Sequence, residues 1–391
     1  MNSEIYFDNS ATTAPCEEAK AAVREVMEEA FANPSSLHAA GLRAEKVLNR
    51  ARTEVLSALG APPDSRCLVF CGSGSEANNL ALIGSYTAKK RRGRPRVILT
   101  EGEHASIEAS AAYLETLGAD VVRLSTTGGE IRFDELSAAL TEDTVLISSM
   151  LVNNETGAVY PVERMFAAAK AFRPDILCHC DAVQGFLKIK FSPASLGADL
   201  ITVSAHKIHG PKGAAALYIS AEALKRRAIC PIIHGGQQEN GLRAGTENMP
   251  GIAGFGAAAQ TGALHFDENR IRMETIRNHI CQCLKNTPAL QEIWINEPKC
   301  AAPHILSLTL PDIKSETMLN FLSGKHICVS SGSACSSHTK KISRALTSFG
   351  KSSREADCTI RVSLSHENTT DEADALCSAL AEGLSTLVRI K

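Results

Sequence analysis

Between about residue 60 and residue 220 the sequence alternates short β-branched or apolar runs with longer Ala-rich stretches, and this alternation constrains the fold more than any other feature. Such a pattern builds βαβ units, which close as a mainly parallel sheet with helices on both faces. Strands are predicted at Cys67 to Phe70, Val97 to Leu99, Val121 to Leu124, Val145 to Ser149, Ile176 to Cys180, Leu200 to Ser204 and Ala214 to Ile219. Helices are predicted over Ala44 to Leu59 and Ser75 to Thr87, and the Gly-rich segment His234 to Gly256 is predicted to interrupt regular structure. With 391 residues the chain exceeds one ordinary core. A change of domain is expected near residue 260, giving a large α/β domain over 14–260 and a smaller α+β domain built from 1–13 and 261–391. The smaller one is expected to hold a helix from near Asn269, strands at Ile305 to Leu310 and Thr359 to Leu364, and a final amphipathic helix from about Thr370.

Charge narrows the partners. The 41 basic and 43 acidic side chains leave a net charge of -2, so no global field selects nucleic acid or a membrane surface. The opening Met1-Asn2-Ser3-Glu4-Ile5-Tyr6 has no leader character, and no stretch approaches the roughly 18 apolar residues of a membrane span, so a cytoplasmic chain is expected. Thirteen cysteines are too sparse for a disulfide scaffold, and their odd number fits reduced thiols in a reducing compartment. The dense basic run Lys89 to Arg96 lies between a helix and a strand and reads as a solvated loop, with docking of RNA or an acidic carrier as the alternative.

Ligands of such sheets collect beyond the carboxyl ends of the strands, and the chemically unusual residues fall there. Ser204-Ala205-His206-Lys207 begins where one strand stops, and Asp181 closes the run Ile176-Leu177-Cys178-His179-Cys180, with Gln184 a helical turn further on. A pyridoxal ring needs an acid beside its pyridinium nitrogen and a lysine for its Schiff base, and Asp181 and Lys207 supply both. Lys207 alone would read as a surface group, and nearby Lys212 stays a candidate for the same role. Phe70-Cys71-Gly72-Ser73-Gly74-Ser75-Glu76-Ala77-Asn78-Asn79 gives strand, small-residue turn and helix, the arrangement of a phosphate cup. Glu103-His104 follows another strand, where an imidazole could stack on a ring and exchange protons near neutral pH.

These stretches resemble the cysteine desulfurases of the NifS and IscS type, in the class V branch of fold-type I pyridoxal phosphate enzymes. The resemblance also covers Tyr6 to Thr13, Asn33 to His38, Asn153 to Gly157, Gly235 to Asn248 and Ser330 to Ser336, in family order over nearly the whole chain. It implies a fold-type I transferase with pyridoxal 5'-phosphate on Lys207, Asp181 at the ring nitrogen, Gln184 at the ring hydroxyl and His104 stacked on the ring. Gly74, Ser75, Ser204 and His206 would hold the phosphate, and Thr246 would reach the phosphate of a neighbouring subunit in a homodimer. Asn154, also near the cofactor, and Arg361 would bind the carboxylate of L-cysteine.

Cys335 lies in Ser330-Ser331-Gly332-Ser333-Ala334-Cys335-Ser336-Ser337, small residues with little apolar surface to anchor them, so a mobile loop is expected. The resemblance implies that its thiolate takes the substrate sulfur as a persulfide, leaves L-alanine, and passes sulfur to an acceptor such as an iron-sulfur scaffold or a thiolation protein. Selenocysteine lyase and class V aminotransferase are the competing enzymes. A metal or redox protein using the Cys-rich segments is the competing non-enzyme. No metal site is expected, because Cys178-His179-Cys180 lacks a second ligand pair and Cys281 and Cys283 point in different directions on a helix. Cys71 and Cys180 are expected at most to alter redox sensitivity.

Overall fold

All seven predicted strands form one sheet in the computed structural model, which describes residues 4–88, 93–332 and 342–390. The chain begins with a short strand β1 (Ile5–Tyr6), and the sheet then takes β2 (Leu68–Cys71), β3 (Arg96–Thr100), β4 (Asp120–Leu124), β5 (Thr144–Met150), β6 (Leu177–Asp181), β7 (Leu200–Ser204) and β8 (Ala215–Ile219). Its order is β2-β8-β7-β6-β5-β3-β4, and only the pairings that involve β8 are antiparallel. The predicted bounds differ from these by about one residue, the ordinary scatter at element ends. Strands β5 to β8 are buried along their whole length, which explains their unbroken apolar runs.

The Gly-rich segment is ordered further than the sequence predicts. A helix spans Met249–Leu264, starting at the Asn248 cap, whose side chain accepts from the Gly251 amide. Its glycines serve close approach: a Cβ on Gly256 would lie 2.7 Å from Ala51 Cα, and one on Gly254 would lie 2.9 Å from Val23 Cγ2. The helices Glu17–Glu29 and Ala39–Ala58 can therefore pack directly against it. The next helix starts at Phe266, earlier than the expected Asn269, with Asp267 and Glu268 in its first turn, where carboxylates favour a helix start.

The C-terminal part has its own apolar core. Three strands, β9 (Trp294–Ile295), β10 (Ile305–Thr309) and β12 (Thr359–Ser363), pair antiparallel, while β11 (Ile327–Cys328) pairs with β1. Leu306, Leu308, Ile360 and Val362 meet Ile276 and Ile280 of the Phe266–Asn286 helix and Leu376 and Leu380 of the Thr370–Thr386 helix. Phe7 enters the same core, so the N-terminal arm is tied to it. The arm then runs to the sheet edge, where Thr13 N donates to His206 O at 2.9 Å. No helix among the described residues is long and apolar enough to cross a membrane.

A buried ion pair fixes the segment between the sheet and the Met249–Leu264 helix. Arg52 donates to both carboxylate oxygens of Glu239 at 2.8 Å, and Glu239 also accepts from Phe70 N at 2.9 Å. Glu239 holds a left-handed φ of 48°, so these bonds offset backbone strain as well as desolvation. Arg52→Met leaves that carboxylate buried and uncompensated, and is expected to lower unfolding stability by about 3–5 kcal/mol, read from urea denaturation.

Candidate active site

The carboxyl ends of β2, β3, β5, β6 and β7 open on one cavity of about 190 Å3. Gly74, Ser75, His104, Asn154, Asp181, Gln184, Ser204, His206, Lys207 and Arg361, all singled out from the sequence, line it. Thr246 does not; it lies exposed on the loop before the Asn248 cap. Cys335 lies outside the described residues. Lys212 is exposed and does not line the cavity, which separates the two candidate lysines.

Lys207 follows β7 in a single 3-10 turn, Ala205–Lys207, that the strand end directs back over the sheet edge. Its Nζ donates to the carbonyls of Ser10 and, at 2.8 Å, Ala11. Gln184 Nε2 donates to the same Ser10 carbonyl at 2.9 Å, so the N-terminal arm holds both side chains. His206 shares a 3.3 Å hydrogen bond with Thr12 Oγ1. Burial, with Lys207 and Lys212 nearby, pushes its imidazole down to about 4, so it stays a neutral donor at neutral pH.

Asp181 is held on both oxygens. Oδ1 accepts from Val183 N at 3.0 Å and Oδ2 from Asn78 Nδ2 at 2.7 Å. Asn78 also donates to Ser106 Oγ at 2.9 Å, and that hydroxyl lies 2.8 Å from His104 Nδ1. His104 caps the helix Ala105–Thr116, with Nδ1 accepting from the Ser106 amide at 3.2 Å. With Nδ1 accepting, the ring proton belongs on Nε2. Asn78 thus couples the acid to the imidazole, a role the sequence reading missed. Its signal was available, because Asn78 is four residues after Gly74 and shares a helix face with it.

At the phosphate turn, Ser73 caps the helix Gly74–Asn79, and a Cβ on Gly74 would meet Val183 Cγ2 at 3.2 Å. Glu76 accepts from Gly72 N at 2.9 Å and pairs with Arg243 at 2.8 Å, tying this turn to the loop that carries Thr246. Ser204 Oγ is buried with no hydrogen-bond partner among the described residues. A buried hydroxyl of that kind calls for a polar ligand. The amine, the oriented carboxylate, the small-residue helix start and the orphaned Ser204 hydroxyl fit a phosphorylated aromatic aldehyde.

Arg361, on β12, is only 2 % exposed. It donates to Asn154 O at 2.9 Å and to Asp8 Oδ1 at 2.7 Å, while its Nε has no partner among the described residues. The guanidinium is therefore fixed at the cavity wall by the N-terminal arm. Glu103 lies behind His104 and accepts from Thr100 Oγ1 and, at 2.8 Å, from Met150 N. Burial raises its carboxyl to about 8 despite these bonds, and nearby Asp181 and Glu108 add to the rise. Folded Glu103 thus keeps a proton that the unfolded chain releases near 4.5, and its stabilising term is lost as pH rises through about 8. Glu103→Gln is expected to flatten the dependence of urea midpoints across that window, a term on the order of a few kcal/mol.

The Cys-rich run turns out to be core. His179 is buried between Ser148 Oγ at 2.8 Å and Thr202 Oγ1 at 3.0 Å, and burial pushes its imidazole down to about 3. Cys71, Cys178 and Cys180 are buried and burial raises each thiol, which argues against altered redox sensitivity at Cys71 and Cys180. Reactive thiols need exposure and a lowered pKa, and neither is present.

Residues 5–376 match the family described as Aminotransferase class-V. The chain belongs to that family. A cysteine desulfurase IscS of Dictyoglomus turgidum is 34% identical over 374 residues, covering 95% of this chain and 92% of the relative. A solved NifS-like protein superposes with a TM-score of 0.90 at 33% identity, covering 98% of this chain and 100% of that one. A structure described as SspA in complex with cysteine gives a TM-score of 0.79 at 29% identity, covering 94% and 100%. Within the family, then, the chain groups with the cysteine desulfurases of the NifS/IscS type, on the fold-type I architecture.

Proposed function

We propose that this chain is a pyridoxal phosphate-dependent cysteine desulfurase that converts L-cysteine to L-alanine and carries the sulfur as a persulfide on Cys335. The observation that carries this reading is the convergence of Lys207, Asp181, Gln184, His104 and Ser204 on one cavity from separate strand ends. The bound cofactor supplies an electron sink for bonds at the substrate α-carbon. Asp181 holds the ring nitrogen, kept in line by Asn78 and Val183 N. Ser204, His206, Ser75 and the Gly74 backbone take the phosphate. Lys207 Nζ would hold the cofactor and, once displaced by the substrate amine, would be free to move the substrate α-proton. His104, with its proton on Nε2, would donate a hydrogen bond to the substrate sulfur. Arg361 and Asn154 orient the substrate carboxylate, which would share the guanidinium with Asp8.

The proposal extends to a homodimer in which Thr246, exposed in the single chain, reaches the partner's phosphate. It also takes 14–260 and 1–13 with 261–391 as two domains, in keeping with the separate C-terminal core. Twelve described cysteines are all free thiols, which supports a reducing, cytoplasmic setting. The acceptor is a protein, an iron-sulfur scaffold or a thiolation partner. Incubation with L-cysteine followed by intact-mass analysis tests the reading. One sulfur atom gained on the Cys335 peptide, with matching alanine, is expected; alanine without bound sulfur would sink it.

A further inference from the structure

Two helices of the C-terminal core bring together soft donors that the desulfurase reading leaves unused. His279 and Cys283 are four residues apart on the Phe266–Asn286 helix, and Asp374 and Cys377 are three apart on the Thr370–Thr386 helix. Each pair therefore shares a helix face, and the helices pack against each other. The ligand atoms of His279, Cys283 and Asp374 all lie within 4.8 Å of one another. His279 Nε2 is 2.7 Å from Asp374 Oδ1, and Cys283 Sγ is 3.6 Å from the same oxygen. Cys377, buried and next to Cys283, lies outside that group of three and offers a second sulfur from the inner side.

We propose that His279, Cys283, Asp374 and Cys377 form a zinc site that clamps the Phe266–Asn286 and Thr370–Thr386 helices together. Two thiolates, an imidazole and a carboxylate are a zinc donor set, and tetrahedral zinc bonds of about 2.0–2.3 Å put donor atoms roughly 3.3–3.8 Å apart. The Cys283–Asp374 separation already matches. The His279–Asp374 hydrogen bond must open slightly, and the imidazole binds through Nε2 with its proton on Nδ1. Cys283 and Cys377 each release a proton on binding. Because both thiols must lose a proton to bind, metal uptake strengthens with rising pH. Helix pairs with ligands at such spacings build metal sites in bundle proteins. The spacing also shows why the sequence hid it: Cys281-x-Cys283 is not the ligand pair, and the partners come from the other helix.

The site lies apart from the cavity and its existence does not depend on the proposed reaction. The test uses the full-length protein, metal-stripped and kept reduced with a phosphine, titrated with Co2+ and then Zn2+. The expected result is tetrahedral cobalt absorption with a thiolate charge-transfer band, saturating at one ion per chain and reversed by zinc. His279→Gln and Asp374→Asn, both at the surface, are each expected to weaken binding at least about tenfold, since even groups behind a ligand matter that much. Zinc should raise the thermal midpoint of the unaltered protein and not that of His279→Gln. Cys335→Ser, which removes the rival thiol, should keep the cobalt spectrum. Loss of the spectrum in Cys335→Ser with retention in His279→Gln would overturn the proposal, as would a Cys283–Cys377 disulfide in the isolated protein.

Discussion

Lys207→Ala is expected to abolish the visible absorbance of a lysine-linked cofactor and to slow L-cysteine turnover by at least about 10²–10⁴-fold, the range for a positioned proton-transfer group. The loss follows from geometry. Lys207 lines the cavity beside Asp181 and Gln184, whereas Lys212 is exposed outside it. The same substitution also releases the Ser10 and Ala11 carbonyls, which are part of what draws the N-terminal arm to the cavity. Lys212→Ala controls for surface charge and should keep both absorbance and turnover. Full absorbance in Lys207→Ala would move the assignment elsewhere and remove the argument from the strand end.

How much of this was legible in the sequence depends on how local each signal is. Lys207, Asp181 and Ser204 follow apolar runs that are themselves strands, so placement at the sheet edge needed only the period of the strand and the parallel topology. The seven strands were legible for the same reason. Arg52 with Glu239 and Asp8 with Arg361 were not, because 187 and 353 residues separate the partners and neither end carries a local pattern that predicts the other. The Gly-rich stretch was misread because glycine weakens a helix locally, while here it permits the Met249–Leu264 helix to approach Ala51 and Val23. Tertiary contact outweighed local propensity there. Asn78 falls between these cases: its helix face was legible, but the atoms it joins, on Asp181 and Ser106, come from other strand ends.

Cys335→Ser is expected to keep the cofactor absorbance of the unaltered protein while losing sulfide release from L-cysteine by at least about two orders of magnitude, as removal of a nucleophile does. The described residues on either side of its loop support this. Ser330 exchanges two backbone hydrogen bonds with Arg361, at 3.1 and 2.6 Å, so the chain leaves from beside the proposed carboxylate-binding arginine. Gly332, at a φ of 113°, closes on Glu155, where a Cβ would lie 3.0 Å from Oε2. On the return side, Ser343 Oγ donates to that same Oε2. Both ends of the loop thus meet at Glu155, next to Asn154 on the cavity wall. Cys335 is three residues beyond Gly332, a reach of at most roughly 11 Å for an extended chain. Gly332→Val should impair sulfur transfer by straining the anchor while leaving cofactor absorbance unchanged. If Cys335→Ser released sulfide at the full rate, the sulfur would leave by another route, and the anchoring at Glu155 would have no part in it.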